Sequence, residues 1–188
     1  MRKLSLSIVF AITAIVMLSC GTTGSSGSSG SGLPDIVRNA RRNAPQDVLI
    51  GIGSANLASQ SQSKTVAETR ARAEISRQMS SMVQDMVRDY QASSEVDRNS
   101  ALSFQENITV ALSKSNLQGA VIVDEDYIDG TYYVVVHLSK ANVVREINQA
   151  QAAARLAVPA MASFNAEARM NEAFDREYNR ELQVNNRD

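Results

Sequence analysis

Ala120–Leu138 reads AVIVDEDYIDGTYYVVVHL. Two runs rich in Val, Ile and Tyr meet at Asp129–Gly130. Asp-Gly between two β-rich runs is the strongest local hairpin signal, because glycine tolerates the positive φ of a tight turn. An antiparallel strand pair is therefore expected on either side of Asp129–Gly130, opened by Gly119. Upstream, Asp47–Gly53 (DVLIGIG) is a short apolar run with β-branched residues, read as a third strand.

Between these strands the period changes. Ala67, Ala71, Ile75, Met79, Met82, Met86 and Tyr90 recur every three or four residues, and no Gly or Pro interrupts Gln60–Tyr90. That is one apolar face of a long helix, with Met at core positions. Phe104, Ile108 and Leu112 favour a second helix, although Ile108–Leu112 also alternates in a way a strand permits. Ser139 is placed to cap a further helix over Lys140 to about Val158, where Pro159 marks a kink or a new start. Met161, Phe164, Ala168, Phe174, Tyr178 and Leu182 read as a last apolar stripe, with Asn171 its one polar member. Leu33–Pro45, with two prolines, is expected to be an irregular lead-in with one helical turn. The expected class is α+β: a strand-helix-strand-strand unit with a long helix packed on a small antiparallel sheet, plus C-terminal helices.

The N-terminus carries an address. Arg2 and Lys3 precede fifteen uncharged residues, Leu4–Leu18. At about 1.5 Å per residue such a stretch is too short to cross a roughly 30 Å hydrocarbon layer. It has the form of a secretory signal peptide. It ends Met17-Leu18-Ser19-Cys20-Gly21, which resembles a bacterial lipoprotein cleavage box around the one cysteine of the chain. The resemblance implies that Cys20 becomes the acylated N-terminus. Removing residues 1–19 leaves 17 basic and 20 acidic residues, a net charge of −3. Attachment to an anionic surface would then come from lipid rather than from a polybasic segment. Gly21–Gly32 contains only Gly, Ser and Thr, the composition of a flexible linker. The expected organisation is a signal peptide over 1–19, an acylated Cys and linker over 20–32, an α+β domain over 33–143 and amphipathic helices over 144–188.

The ordered set Val48–Ala55 (VLIGIGSA), Ala71–Ile75 (ARAEI), Leu117–Val123 (LQGAVIV) and Gly130–Val136 (GTYYVVV) resembles the Lpp-twenty lipoprotein family, typified by a membrane-associated Helicobacter lipoprotein. The likeness covers about Pro34 to Val143. It implies the same strand-helix-strand-strand unit at the outer membrane or cell surface. Related domains help build flagellar rings, and members lack an agreed enzymatic activity. Relatives often carry an aromatic residue, commonly Trp, shortly before the first strand; this chain has Ile36 there and no Trp anywhere.

The residues themselves point away from catalysis. Gly51-Ile52-Gly53 after a strand would begin a dinucleotide fingerprint, but its third glycine position is Asn56. The alternative is that both glycines let a helix approach the strand. Asp124, Glu125, Asp126 and Asp129 would suit calcium by composition, but their spacing is not a calcium loop, and alternation sends Glu125 to the opposite face from Asp124 and Asp126. His137 is the one histidine, with no free cysteine or second histidine to join it. No catalytic, cofactor-binding or metal-binding residue is therefore assigned, and Cys20 is the one site, for lipid. A near-neutral charge and 5% aromatics argue against a nucleic-acid partner. The expected partners are the membrane, through the N-terminal lipid, and either a second copy or another envelope protein. A host-facing surface lipoprotein is the alternative, and an enzyme using His137 and the acidic hairpin the less favoured one. Gly21 rather than Asp after Cys20 resembles enteric sorting to the outer membrane.

Overall fold

The computed structural model describes residues 33–185. Helix α1 (Asp35–Arg42) leads into strand β1 (Val48–Ala55), the long helix α2 (Gln60–Ala92) and helix α3 (Arg98–Ser113). The hairpin β2 (Val121–Ile128) and β3 (Thr131–Ser139) follows, then helix α4 (Lys140–Ala157), a 3-10 turn at Pro159–Met161 and helix α5 (Ala166–Asn185). This is the α+β arrangement expected, a three-stranded antiparallel sheet in the order β1-β3-β2 with helices against it. Asp129 (φ 48°) and Gly130 (φ 79°) supply the positive-φ pair that a two-residue hairpin turn requires.

Alternation sorts the sheet into two faces. Leu49, Gly51, Gly53 and Ala55 of β1 pair with Leu138, Val136, Val134 and Tyr132 of β3, and all eight are buried on the inner face beneath α2. The two glycines explain how closely helix and strand approach. A β-carbon on Gly51 would lie 2.0 Å from the Ala71 carbonyl oxygen, and one on Gly53 the same distance from that of Ala67. Small residues on both sides therefore let the α2 backbone rest on β1. On α2 the expected stripe is buried from Ala67 to Met86, joined by Val83 and Val87.

The open side of β1 is also covered by α2. Gln78 Nε2 donates to the Ile50 carbonyl at 2.9 Å, and Arg70 donates to that of Ser54. Eight residues of helix and four of strand each advance about 12–13 Å, so the two registers match. The other edge, β2, is exposed along most of its length and carries a bulge between Ile122 and Asp124.

Several expectations are corrected. The lead-in at Leu33–Pro45 contains an eight-residue helix, whose Ile36 and Val37 are buried on Val135 of the outer sheet face. The first strand begins at Val48 and runs two residues past Gly53. The ambiguous segment is helical: Asp97 caps α3 by accepting from the Ser100 amide at 3.0 Å, and Ala101, Phe104, Ile108 and Leu112 are buried. In the C-terminal segment Met161, Phe164 and Phe174 are buried as expected, but Ala168 is exposed, and Ala166, Met170 and Ala173 take its place. The helix breaks between Met161 and Ala166, which resets its phase. The side chain of Leu182 is outside the described set. The position taken as the end of the α+β segment, Val143, lies inside α4, where it is fully buried.

Phe164, in the break, joins the C-terminal segment to the rest. Its ring meets Tyr90 of α2 edge-on at 5.4 Å and Phe104 of α3 at 5.3 Å. Such contacts add about 0.5–1.5 kcal/mol beyond the area they bury. Along α5, Arg176 pairs with Asp89 at 2.8 Å and Arg180 with Asp85 at 2.9 Å, fastening α5 to α2. Met161, Phe164 and Phe174 of the C-terminal stripe are thus buried within the chain, and Tyr178 is half-buried.

Candidate functional site

Cys20, the signal peptide expected over 1–19 and the linker expected over 20–32 lie outside the described residues. The other residues considered for chemistry are in view, and they do not converge. Gly51 and Gly53 lie under α2, on a strand whose partner β3 is antiparallel. The close-approach role accounts for both.

The acidic hairpin divides as alternation requires. Asp124 and Asp126 pair across from Val135 and Tyr133 on the outer face. Glu125 pairs across from Val134 and reaches Lys64 of α2, with Nζ to Oε1 at 2.7 Å. The hydrogen bond to Lys64 holds the Glu125 carboxyl below its usual range, and the same bond raises the Lys64 ammonium. Asp126 accepts from the Tyr127 amide at 2.7 Å. Among the described residues no group of three or more His, Cys, Asp or Glu side chains is placed to hold a metal ion. His137 sits on the outer face between Ile50 and Val121, its pKa lowered by burial.

Sequence reasoning missed a different polar centre. Glu146 of α4 is 4% exposed. It accepts from the Gln118 amide at 3.1 Å and from the Ser115 hydroxyl, both in the loop between α3 and β2. Arg145 donates to the Gln118 carbonyl at 2.6 Å and Asn142 to that of Gly119 at 3.4 Å. These side chains hold a loop with two left-handed residues, Leu117 (φ 47°) and Gly119 (φ 82°). Leu117 needs holding, since a non-glycine side chain in that region is unfavourable, yet it is 2% exposed and belongs to the core. A signal for this centre exists in the sequence: Glu146 falls on the α4 stripe of Val143, Ile147, Ala150 and Ala154. A carboxylate on an apolar stripe must find donors.

Beside this loop lies a shallow cavity of about 320 Å³ lined in part by Lys114, Asn116, Glu146 and Gln149. A broader groove of about 550 Å³ runs between α2 and α3, lined by hydroxyl and amide groups including Ser76, Ser80, Gln105 and Thr109. Ser115 and Glu146, hydrogen-bonded to each other, both line the first, where the Ser115 hydroxyl also accepts from the Leu117 amide at 3.0 Å. Arg70, Arg72 and Gln78 of α2 and the Glu146 cluster are engaged in holding backbone. The chemically open feature is β2, where Val121, Val123 and Tyr127 are exposed on an unpaired edge.

No protein-family model, no curated protein and no solved structure matches the chain.

Proposed function

We propose that the chain is a lipid-anchored bacterial envelope lipoprotein of Lpp-twenty type, acylated at Cys20 and acting without catalysis as a protein-binding or assembly module. One observation carries this: fifteen uncharged residues after Arg2 and Lys3, ending in Ser19-Cys20-Gly21, with no other cysteine in the chain. Acyl chains contribute about 0.8 kcal/mol per buried CH2, so a multiply acylated Cys20 anchors stably. Among the described residues no helix is long and apolar enough to cross a membrane. Gly21 supports delivery to the outer membrane, facing the periplasm or the exterior.

A non-catalytic role is supported by where the polar chemistry is used. Gln78, Glu146 and Gln151 are buried, and each binds backbone: Ile50, Gln118 and Ala166. An exposed β2 edge supports contacts with a second copy or another envelope protein. Fractionation of cells expressing the full chain tests the anchor. The wild type should sediment with membranes and Cys20→Ser should be released; equal membrane retention of both would overturn the proposal.

A further inference from the structure

Helix α1 is held differently from the other four helices. α2, α3, α4 and α5 all contribute buried side chains to one large apolar core. α1 contributes to a separate cluster of three buried residues, Ile36, Val37 and Val135, with Ile50, Ile52 and Tyr133 half-buried around it. It spans eight residues, too few to be stable as a helix in water without packing. Pro34 stands at its N-cap and provides no side-chain hydrogen bond. Its Arg38–Asp35 ion pair is internal to the helix and exposed, so it does not tie the helix to the sheet. Between α1 and β1 the residues Asn43, Pro45, Gln46 and Asp47 are exposed, and the segment is pinned after α1, where the Ala44 carbonyl accepts from the Tyr178 hydroxyl at 3.5 Å and that of Asp47 from the Lys140 amide at 2.7 Å. What α1 covers is the apolar patch around Val135 on the outer sheet face, bordered on β2 by Asp124 and Asp126.

We propose that α1 is a strap that opens as its own unit, baring the outer sheet face at Val135 while the main core stays closed. Segments with few buried apolar contacts open at lower free energy than the whole molecule, and α1 meets that condition while α2 does not. Because no α1 residue belongs to the main core, its release leaves that core unchanged.

Thiol labelling under native conditions tests the strap. Every buried member of both clusters lies between Ile36 and Phe174, so residues 33–188 contain the whole described core and lack Cys20. In that chain Val135→Cys places a thiol under α1, and Met82→Cys places one in the main core, where Met82 is fully buried. The thiol at 135 is expected to react at least roughly tenfold faster, with a shallower denaturant dependence than that at 82. Adding Ile36→Ala should accelerate labelling at 135 and leave 82 unchanged. Equal rates and equal denaturant slopes at the two sites, or equal acceleration of both by Ile36→Ala, would overturn the proposal. Should either cysteine variant fail to fold, amide exchange on the unsubstituted chain decides in the same way. Asp35–Arg42 must exchange through a smaller opening free energy than Ile75–Val87, and matching values contradict the strap.

Discussion

A β-carbon placed on Gly51 would sit 2.0 Å from the carbonyl oxygen of Ala71 and 2.9 Å from Cγ1 of Ile75. The obstacle is helix backbone, which cannot rotate aside as a side chain can. Gly51→Ala is therefore expected to destabilise the domain by at least the 1–3 kcal/mol typical of overpacking. Gly130→Ala makes a useful contrast. Its nearest neighbour would be the Asn56 side chain at 3.4 Å, so its cost is mainly the left-handed backbone, about 1–2 kcal/mol. Urea melts of both variants check the ranking.

The phase of α2 predicts a second ranking. Ile75 and Met82 are fully buried, and the Arg77 side chain is 68% exposed. Ile75→Ala or Met82→Ala should cost about 2–5 kcal/mol. Arg77→Ala should stay within about 0.5 kcal/mol, since its pair with Glu74 is a surface one. Denaturant midpoints in the reverse order would contradict the helical phase.

Glu146 should matter out of proportion to its size. Glu146→Ala removes the part-buried acceptor of the Gln118 amide and of the Ser115 hydroxyl. Each unsatisfied group costs about 1–3 kcal/mol, and Leu117 loses part of the frame that holds its left-handed backbone. Equilibrium unfolding should show a loss of at least about 1 kcal/mol. Glu146→Gln, which keeps an acceptor, should recover part of it.

These contacts also mark what was legible in the sequence. The hairpin, β1, α2 and the Ser139 cap were readable because each rests on a local signal: Asp129–Gly130, a β-branched run, a heptad-like stripe, and a hydroxyl three residues before the Asn142 amide it binds. α1 was missed because its helical face amounts to two buried residues between prolines. The C-terminal phase failed at Ala168 because residues 162–165 interrupt the helix, so Phe164 and Phe174 do not belong to one continuous period. Glu146 and Gln78 each bind backbone 28 residues away, and no periodicity records such a partnership. The bulge at Val123 leaves no mark on the alternation around it.

His137 predicts a pH dependence. Burial lowers its folded-state pKa, so the unfolded chain, near the ordinary 6.5, binds its proton more readily. Stability from this residue is therefore full above about pH 6.5 and falls as pH drops through that value toward the folded pKa. Urea midpoints at pH 7.5 and pH 5.0 should differ less in His137→Gln than in the wild type. An unchanged difference would remove the imidazole from the account.

Removing Ala160–Asp188 should expose a large apolar surface, because Met161, Phe164, Met170 and Phe174 are all buried in the main core. The truncated chain is expected to be less soluble and less stable than residues 33–188. Light scattering after size exclusion and thermal melts check this. Full solubility with an unchanged melting temperature would leave α5 without the structural role assigned to it.

The central claim is the lipid on Cys20, and the mature N-terminus measures it directly. The full chain, expressed in a bacterium that processes lipoproteins, should yield a protein beginning at Cys20 and heavier than its polypeptide by a diacylglycerol and an amide-linked acyl chain. It should incorporate a fatty-acid probe that Cys20→Ser does not. An unmodified Cys20, or equal probe incorporation into Cys20→Ser, would contradict the account.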